Sequence, residues 1–205
     1  TREKVELSLR QAILLATVLE DIPAALACYR DILHRLDPTC RPALAKLVEL
    51  ETARGNFRQA AEALQHDLTL AEPGADRAAV ARRLGTLYES NLEDLEHAIE
   101  SLEITVREDP EDFATLAKLR ELCERKGKWA RVLEILGRLI EVEADEEDVA
   151  KLVAQTARIL ADQLDRVDDA LRELAPVTAA GSAPARAIAI DIAERHGAHV
   201  QLAGQ

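Results

Sequence analysis

The chain has 205 residues, 48% of them apolar, 31% charged and 2% aromatic, so its core is built largely from Ala and Leu, a mixture that favours helices with close axes. A net charge of −12 argues against a nucleic-acid backbone as ligand, because phosphate binding needs Lys and Arg in excess. No apolar run approaches the length of about 18 residues that a membrane helix needs.

Apolar residues recur at helical spacing almost throughout, as in Leu44, Leu47 and Val48 or Leu116, Leu119 and Leu122. The breaks predict ten to eleven helices over 3–19, 22–36, 40–54, 57–71, 75–91, 94–108, 111–126, 129–143, 146–164, 167–180 and 184–196. Pro38, Pro73 and Pro110 stand where every second helix stops, and Pro23, Pro42 and Pro184 fit first turns, where a missing amide costs nothing. Gly55, Gly127 and Gly197 suit left-handed helix ends. Acidic openings at Glu111-Asp112 and Asp145 to Asp148 favour helix N-termini. Pro176, inside a predicted helix, is expected to kink or end it, leaving 176–183 as a looser joint.

The chain also repeats itself. Leu19-Glu20-Asp21-Ile22 returns as Leu92-Glu93-Asp94-Leu95 and as Leu164-Asp165-Arg166-Val167, at steps of 73 and 72 residues. A second series, Arg54-Gly55-Asn56-Phe57, Lys126-Gly127-Lys128-Trp129 and His196-Gly197-Ala198-His199, alternates with it. Each long unit therefore holds two helix pairs of slightly different design, and a repeat of this kind builds an array in which each unit touches its neighbours.

Gly85, Tyr88, Ala98, Leu102 and Pro110, and again Leu47, Gly55, Phe57, Ala60 and Leu64, resemble the tetratricopeptide repeat, a helix-turn-helix unit with small residues where its helices cross. The marker positions Ala25, Ala60, Ala98, Val132 and Ala170 are 35, 38, 34 and 38 residues apart, so units of about 34 and 38 alternate. The resemblance implies an all-α, right-handed α-α superhelix of about five and a half repeats over 1–205, with sub-repeats near 3–37, 38–72, 73–109, 110–144, 145–182 and an incomplete 183–205. Val200 and Leu202 read as the start of a further helix, which makes a piece of a longer array the expectation. Arg outnumbers Lys 20 to 6, a bias similar to that of GC-rich bacteria.

Motifs of catalysis are missing: there is no phosphate loop, no His-Glu-x-x-His and no Gly-x-Ser-x-Gly. No enzyme, cofactor or metal is expected. His196, His199 and Asp191 read as residues of a helix end before they read as a metal site. Cys28, Cys40 and Cys123 form no Cys-x-x-Cys, which suits a reducing, cytoplasmic setting; Cys28 reads as a small buried apolar residue and Cys40 as an exposed turn residue. No signal-peptide pattern follows Thr1, and because the chain opens without Met its true start is expected to be missing. Phe57, Trp129, Tyr29 and Tyr88 recur at repeat-equivalent places and read as packing. The acidic run from Glu141 to Asp148 reads as a solvated turn and helix start.

In tetratricopeptide proteins the first helix of each repeat lines a concave groove. Carried onto matching positions, the resemblance implies contacts from Glu49, Arg82, Arg83, Thr86, Glu89, Lys118, Glu121, Glu124, Arg125, Lys151, Gln155 and Arg158. The expected function is a non-catalytic protein-protein interaction scaffold that receives a peptide or a folded partner. The alternatives are a self-assembling structural element, through exposed repeat ends, and a regulatory arm of a larger signalling or motility protein. Nucleic acid and membrane are not expected partners.

Overall fold

A computed structural model describes residues 2–196. Within them the chain forms eleven α-helices and no strand: α1 (Arg2–Thr17), α2 (Ile22–Asp31), α3 (Arg41–Ala53), α4 (Phe57–Leu70), α5 (Ala75–Ser90), α6 (Leu95–Glu108), α7 (Phe113–Arg125), α8 (Trp129–Val142), α9 (Glu146–Leu164), α10 (Val167–Ala179) and α11 (Ala183–His196). The chain divides into two compact units between Thr115 and Leu116. In the first, α1 packs on α2, α3 on α4 and α5 on α6, while α2 meets α3 and α4 meets α5. In the second, α9 packs on α8, α10 and α11, around Val153, Ala157, Leu160, Leu174, Ala189 and Ile192.

Helix starts are set by side-chain caps wherever the sequence supplies one. The repeated Asp21 and Asp94 accept the amides of Ala24 and His97 at 3.0 and 3.2 Å, but the third copy has Arg166, whose side chain caps nothing. Asp145 accepts the amides of Glu147 and Asp148, which makes the acidic run a helix opening. Asp112 does the same for Thr115, so α7 begins at Phe113 rather than at 111.

Four sequence expectations need correction or completion. The helix predicted over 22–36 is two segments, α2 and a π-helical turn Ile32–Leu36, closed by the Asp37 amide on the Ile32 carbonyl at 2.8 Å; both Ile32 and Leu33 are buried. Pro176 does not end α10, which runs through to Ala179. The ring sits in the last turn and faces solvent, so the helix loses a single amide bond, and Ala180 and Ser182 cap the carbonyls of Pro176 and Val177 at 3.0 and 3.2 Å. Cys40 is buried, not exposed, because it stands at the start of α3, where its carbonyl accepts the Ala43 and Leu44 amides. Gly197, His199, Val200 and Leu202 lie outside the described residues.

The two turn series solve the same geometric problem differently. Gly55 and Gly127 have φ of +76° and +67°, the left-handed conformation a helix end requires and glycine adopts freely. The other series puts Glu20, Glu93 and Asp165 there, with φ of 51°, 54° and 53°. A side chain in that region costs about 1–2 kcal/mol. Glu93→Gly is therefore expected to hold or raise stability by up to about 1 kcal/mol, the entropy of glycine offsetting part of the relief. Gly127→Ala is expected to lower it by about 1 kcal/mol. Urea denaturation followed by circular dichroism measures both, and a loss in Glu93→Gly would contradict the strain argument.

Candidate partner-binding face

The twelve candidate residues fall on the first helices of the helix pairs, five in the first unit and seven in the second. In the first unit Glu49 is held by Lys46 at 2.7 Å. Arg82 reaches from α5 to Asp112 through Nε at 3.0 Å and Nη2 at 2.5 Å, and its Nε also donates to the Thr115 hydroxyl at 3.2 Å. Burial pushes the Asp112 carboxyl up, but the Thr115 hydroxyl and amide and the Arg82 guanidinium outweigh it and leave the group below its ordinary value. Arg82 thus serves the fold. The Thr86 hydroxyl donates to the Arg82 carbonyl at 3.0 Å, and Glu89 is half-buried. Arg83 is exposed and bonds to no other described residue.

The second unit repeats this division. Lys118 holds Glu121 at 3.1 Å, and Arg125 approaches the same carboxylate at 4.0 Å. Arg120 lies 3.5 Å from Glu124 through Nε and donates from Nη1 to Gln155 at 2.8 Å, joining α7 to α9. Lys151 is drawn to Asp148 at 2.8 Å and Glu147 at 3.2 Å, and both carboxylates push its ammonium pKa up. Arg158, exposed on α9, has no such partner among the described residues. Pairs of this kind at a surface contribute about 0–1 kcal/mol and exchange readily for a ligand's groups. Arg83 and Arg158 have nothing to exchange.

Three residues with structural weight were not among the candidates. Arg120 stands between Lys118 and Glu121, and its partner lies 35 residues on. Arg41 meets Asp76 at the same separation, so an Arg followed by an acceptor one repeat later is the signal that identifies both. The repeat pattern predicts packing for Trp129. It is only half-buried and lines a cleft with Arg120, Gln155 and Arg158. Of the other aromatics, Phe57 is half-buried, Tyr29 and Tyr88 are buried, and the Tyr88 hydroxyl accepts from Gln65 at 2.8 Å.

Little here suits covalent chemistry. The Cys28 thiol, half-buried and donating to the Ser8 carbonyl at 3.4 Å, is pushed up by burial and then by Asp31, away from a nucleophilic thiolate. His196 lies 3.4 Å from Asp162, and among the described residues no three His, Cys, Asp or Glu side chains converge as metal ligands. No described helix is long and apolar enough to cross a membrane.

A sequence model of the tetratricopeptide repeat matches residues 115–150. The crystal structure of MamA protein is similar over the whole of both chains, with 16% identity and a TM-score of 0.51. A tetratricopeptide repeat protein from Parabacteroides merdae ATCC 43184 is similar over 96% of this chain and 75% of its own, with 14% identity and a TM-score of 0.51. No curated protein matches the sequence. At such identities the likeness concerns the fold, and it agrees with the paired helices, the turn glycines and the small residues at the crossings: the chain has the fold of tetratricopeptide-repeat proteins, and its residues 115–150 match that repeat in sequence.

Proposed function

We propose that this protein is a non-catalytic interaction scaffold whose first helices receive a peptide or a folded protein. The observation that carries the reading is the division of the basic residues on those helices. Arg82 and Arg120 are tied to Asp112 and Gln155, whereas Arg83 and Arg158 stand exposed and unpaired on α5 and α9. An Arg fork presented by a rigid helix binds carboxylate with little ordering cost. With its free cysteines and no membrane-length helix among the described residues, we place the scaffold in the cytoplasm.

The test is comparative enrichment from native lysate, read by mass spectrometry, with wild-type chain and the Arg83→Glu/Arg158→Glu double variant. Loss of a wild-type partner in the variant, at unchanged thermal stability, is the expected result. Identical captured proteins would remove both arginines from the binding face. Arg82 is left intact because its reversal would set two carboxylates against each other beside Asp112.

A second reading, self-association, rests on α1. Leu7 and Leu14 share one face of that helix and are 58% and 56% exposed, and Val18 and Leu19, just past its end, are 68% and 67% exposed. If this face joins two copies, Leu14→Glu/Val18→Glu will reduce a concentration-dependent oligomer to monomer in analytical ultracentrifugation. A wild-type chain that sediments as monomer at every concentration removes the reading.

A further inference from the structure

The face of α9 lies between two clefts of different character. On one side Arg120, Glu124, Trp129, Arg158 and Asp162 line a cleft of about 290 Å³ in which charged groups surround an aromatic and aliphatic floor. On the other, Ala150, Ala154, Val177, Pro184 and Ile188 give a mainly apolar floor to a cleft of about 660 Å³, large enough for a leucine-sized side chain. Gln155 and Arg158 border both, so they form the ridge that any ligand spanning the two must cross.

The charges around the ridge are nearly all committed. Lys151 is held by Asp148 and Glu147, Asp162 by Arg195 at 2.9 Å and His196 at 3.4 Å, and Arg120 by Gln155 and Glu124. One cation remains: Arg158 has no ion-pair partner among the described residues, while the Nε of Arg120, buried and without a hydrogen bond, still faces Glu124 at 3.5 Å. At the far end of the apolar cleft stand Glu146 and Glu147, so the surface runs from acidic to basic along the helix.

We propose that this surface takes an extended peptide in which a large apolar side chain lies two residues from an Asp or Glu, the apolar group entering the Val177–Ile188 cleft and the carboxylate meeting Arg158. The inference rests on the scaffold reading above. From Ala154 to Arg158 is one turn, about 6 Å along the helix. An extended chain covers that in about two residues, and residues two apart point to the same side. Charge fixes the direction. A reversed peptide would carry its carboxylate about 6 Å the other way, to the level of Ala150, one turn from Glu146 and about 12 Å from Arg158 by helical rise.

The test selects a displayed random-heptapeptide library on the full chain. Recovered sequences are then titrated as capped synthetic peptides against wild type, Arg158→Glu and Arg58→Glu. Recovered sequences are expected to carry Leu, Ile, Phe or Met two residues from Asp or Glu, and to shift the emission of Trp129, the one tryptophan in the chain. Arg158→Glu should weaken them at least tenfold without changing the thermal melt, while Arg58→Glu, at an exposed residue of α4 outside the candidate face, leaves them unchanged. Replacing the peptide's acid by Lys should restore binding to Arg158→Glu. Peptides without the pair, or indifferent to Arg158→Glu, would overturn this site and leave the scaffold reading intact. Recovery of no peptide overturns the site as well, and the lysate comparison then judges the scaffold by its folded partners.

Discussion

Gly85→Val is expected to destabilise the first unit by about 3 kcal/mol, the upper part of the range for overpacking a close-packed core. Gly85 faces α6 where the two helices cross. A Cβ built there would stand 2.8 Å from Cδ2 and 3.0 Å from Cγ of Leu102, and 3.4 Å from the Ala98 carbonyl oxygen. Leu102 is 3% exposed and Ala98 fully buried, so neither can withdraw by more than a small shift. Two effects oppose each other in Gly85→Ala: alanine favours the helix by about 1 kcal/mol, and the single new carbon displaces only the end of one leucine. Valine adds two further carbons and a stiff branch, and the steric term wins. Urea denaturation measures the loss. Combining the change with Leu102→Ala should cost less than the sum of the two singles, because the deleted side chain is the obstacle. A Gly85→Val melt equal to wild type would mean the helices part without cost.

The architecture was legible because one pattern governs every level of it. Ten of the eleven predicted helices match to within two residues at each end, since Pro38, Pro73 and Pro110, the turn glycines and the acidic caps mark the same places as the apolar period. What the sequence concealed is conformational or long-range. Nothing in Ile32–Leu36 signals a π turn, because widening a helix by one residue leaves its apolar residues buried. Glu20, Glu93 and Asp165 take a left-handed conformation that the sequence marks only through the repeat itself, with no glycine to announce it. The candidate face was legible as a set of positions on first helices, but not in its energetics. Arg82 and Arg83 are adjacent letters, and only the approach of Asp112 makes one structural and leaves the other open. Trp129 shows the same limit. Repeat equivalence with Phe57 indicates packing, while the cleft beside Arg158 exists only once α7 and α9 are placed together.

Arg41→Ala is the second large effect, expected to cost about 3 kcal/mol, as removing one partner leaves a buried carboxylate uncompensated. Arg41 opens α3 and joins three helices. Its Nε donates to Asp67 on α4 at 2.5 Å, and Nη1 and Nη2 reach the two oxygens of Asp76 on α5 at 2.6 and 3.0 Å. Asp67 is 7% exposed, so it is the group left stranded. Lysine should not rescue the variant, because a single ammonium cannot replace a planar fork that serves two carboxylates at once. Arg41→Met with Asp67→Leu should recover most of the loss, since it removes the buried charge with its partner. The same contact gives an acid signature. The Arg41 bond holds the Asp76 carboxyl below its ordinary value against the opposing effect of burial, with the Glu72 amide assisting. A carboxylate whose folded pKa lies below its unfolded value of about 3.9 contributes stability that is complete above that value and lost as the pH falls through the folded one. Stability measured from pH 7 to pH 3 should therefore fall less steeply in Arg41→Ala than in wild type, from a lower starting point. Equal stabilities at pH 7 would show that Asp67 finds water or another donor when Arg41 is gone, and that the three helices are held together by their apolar faces alone.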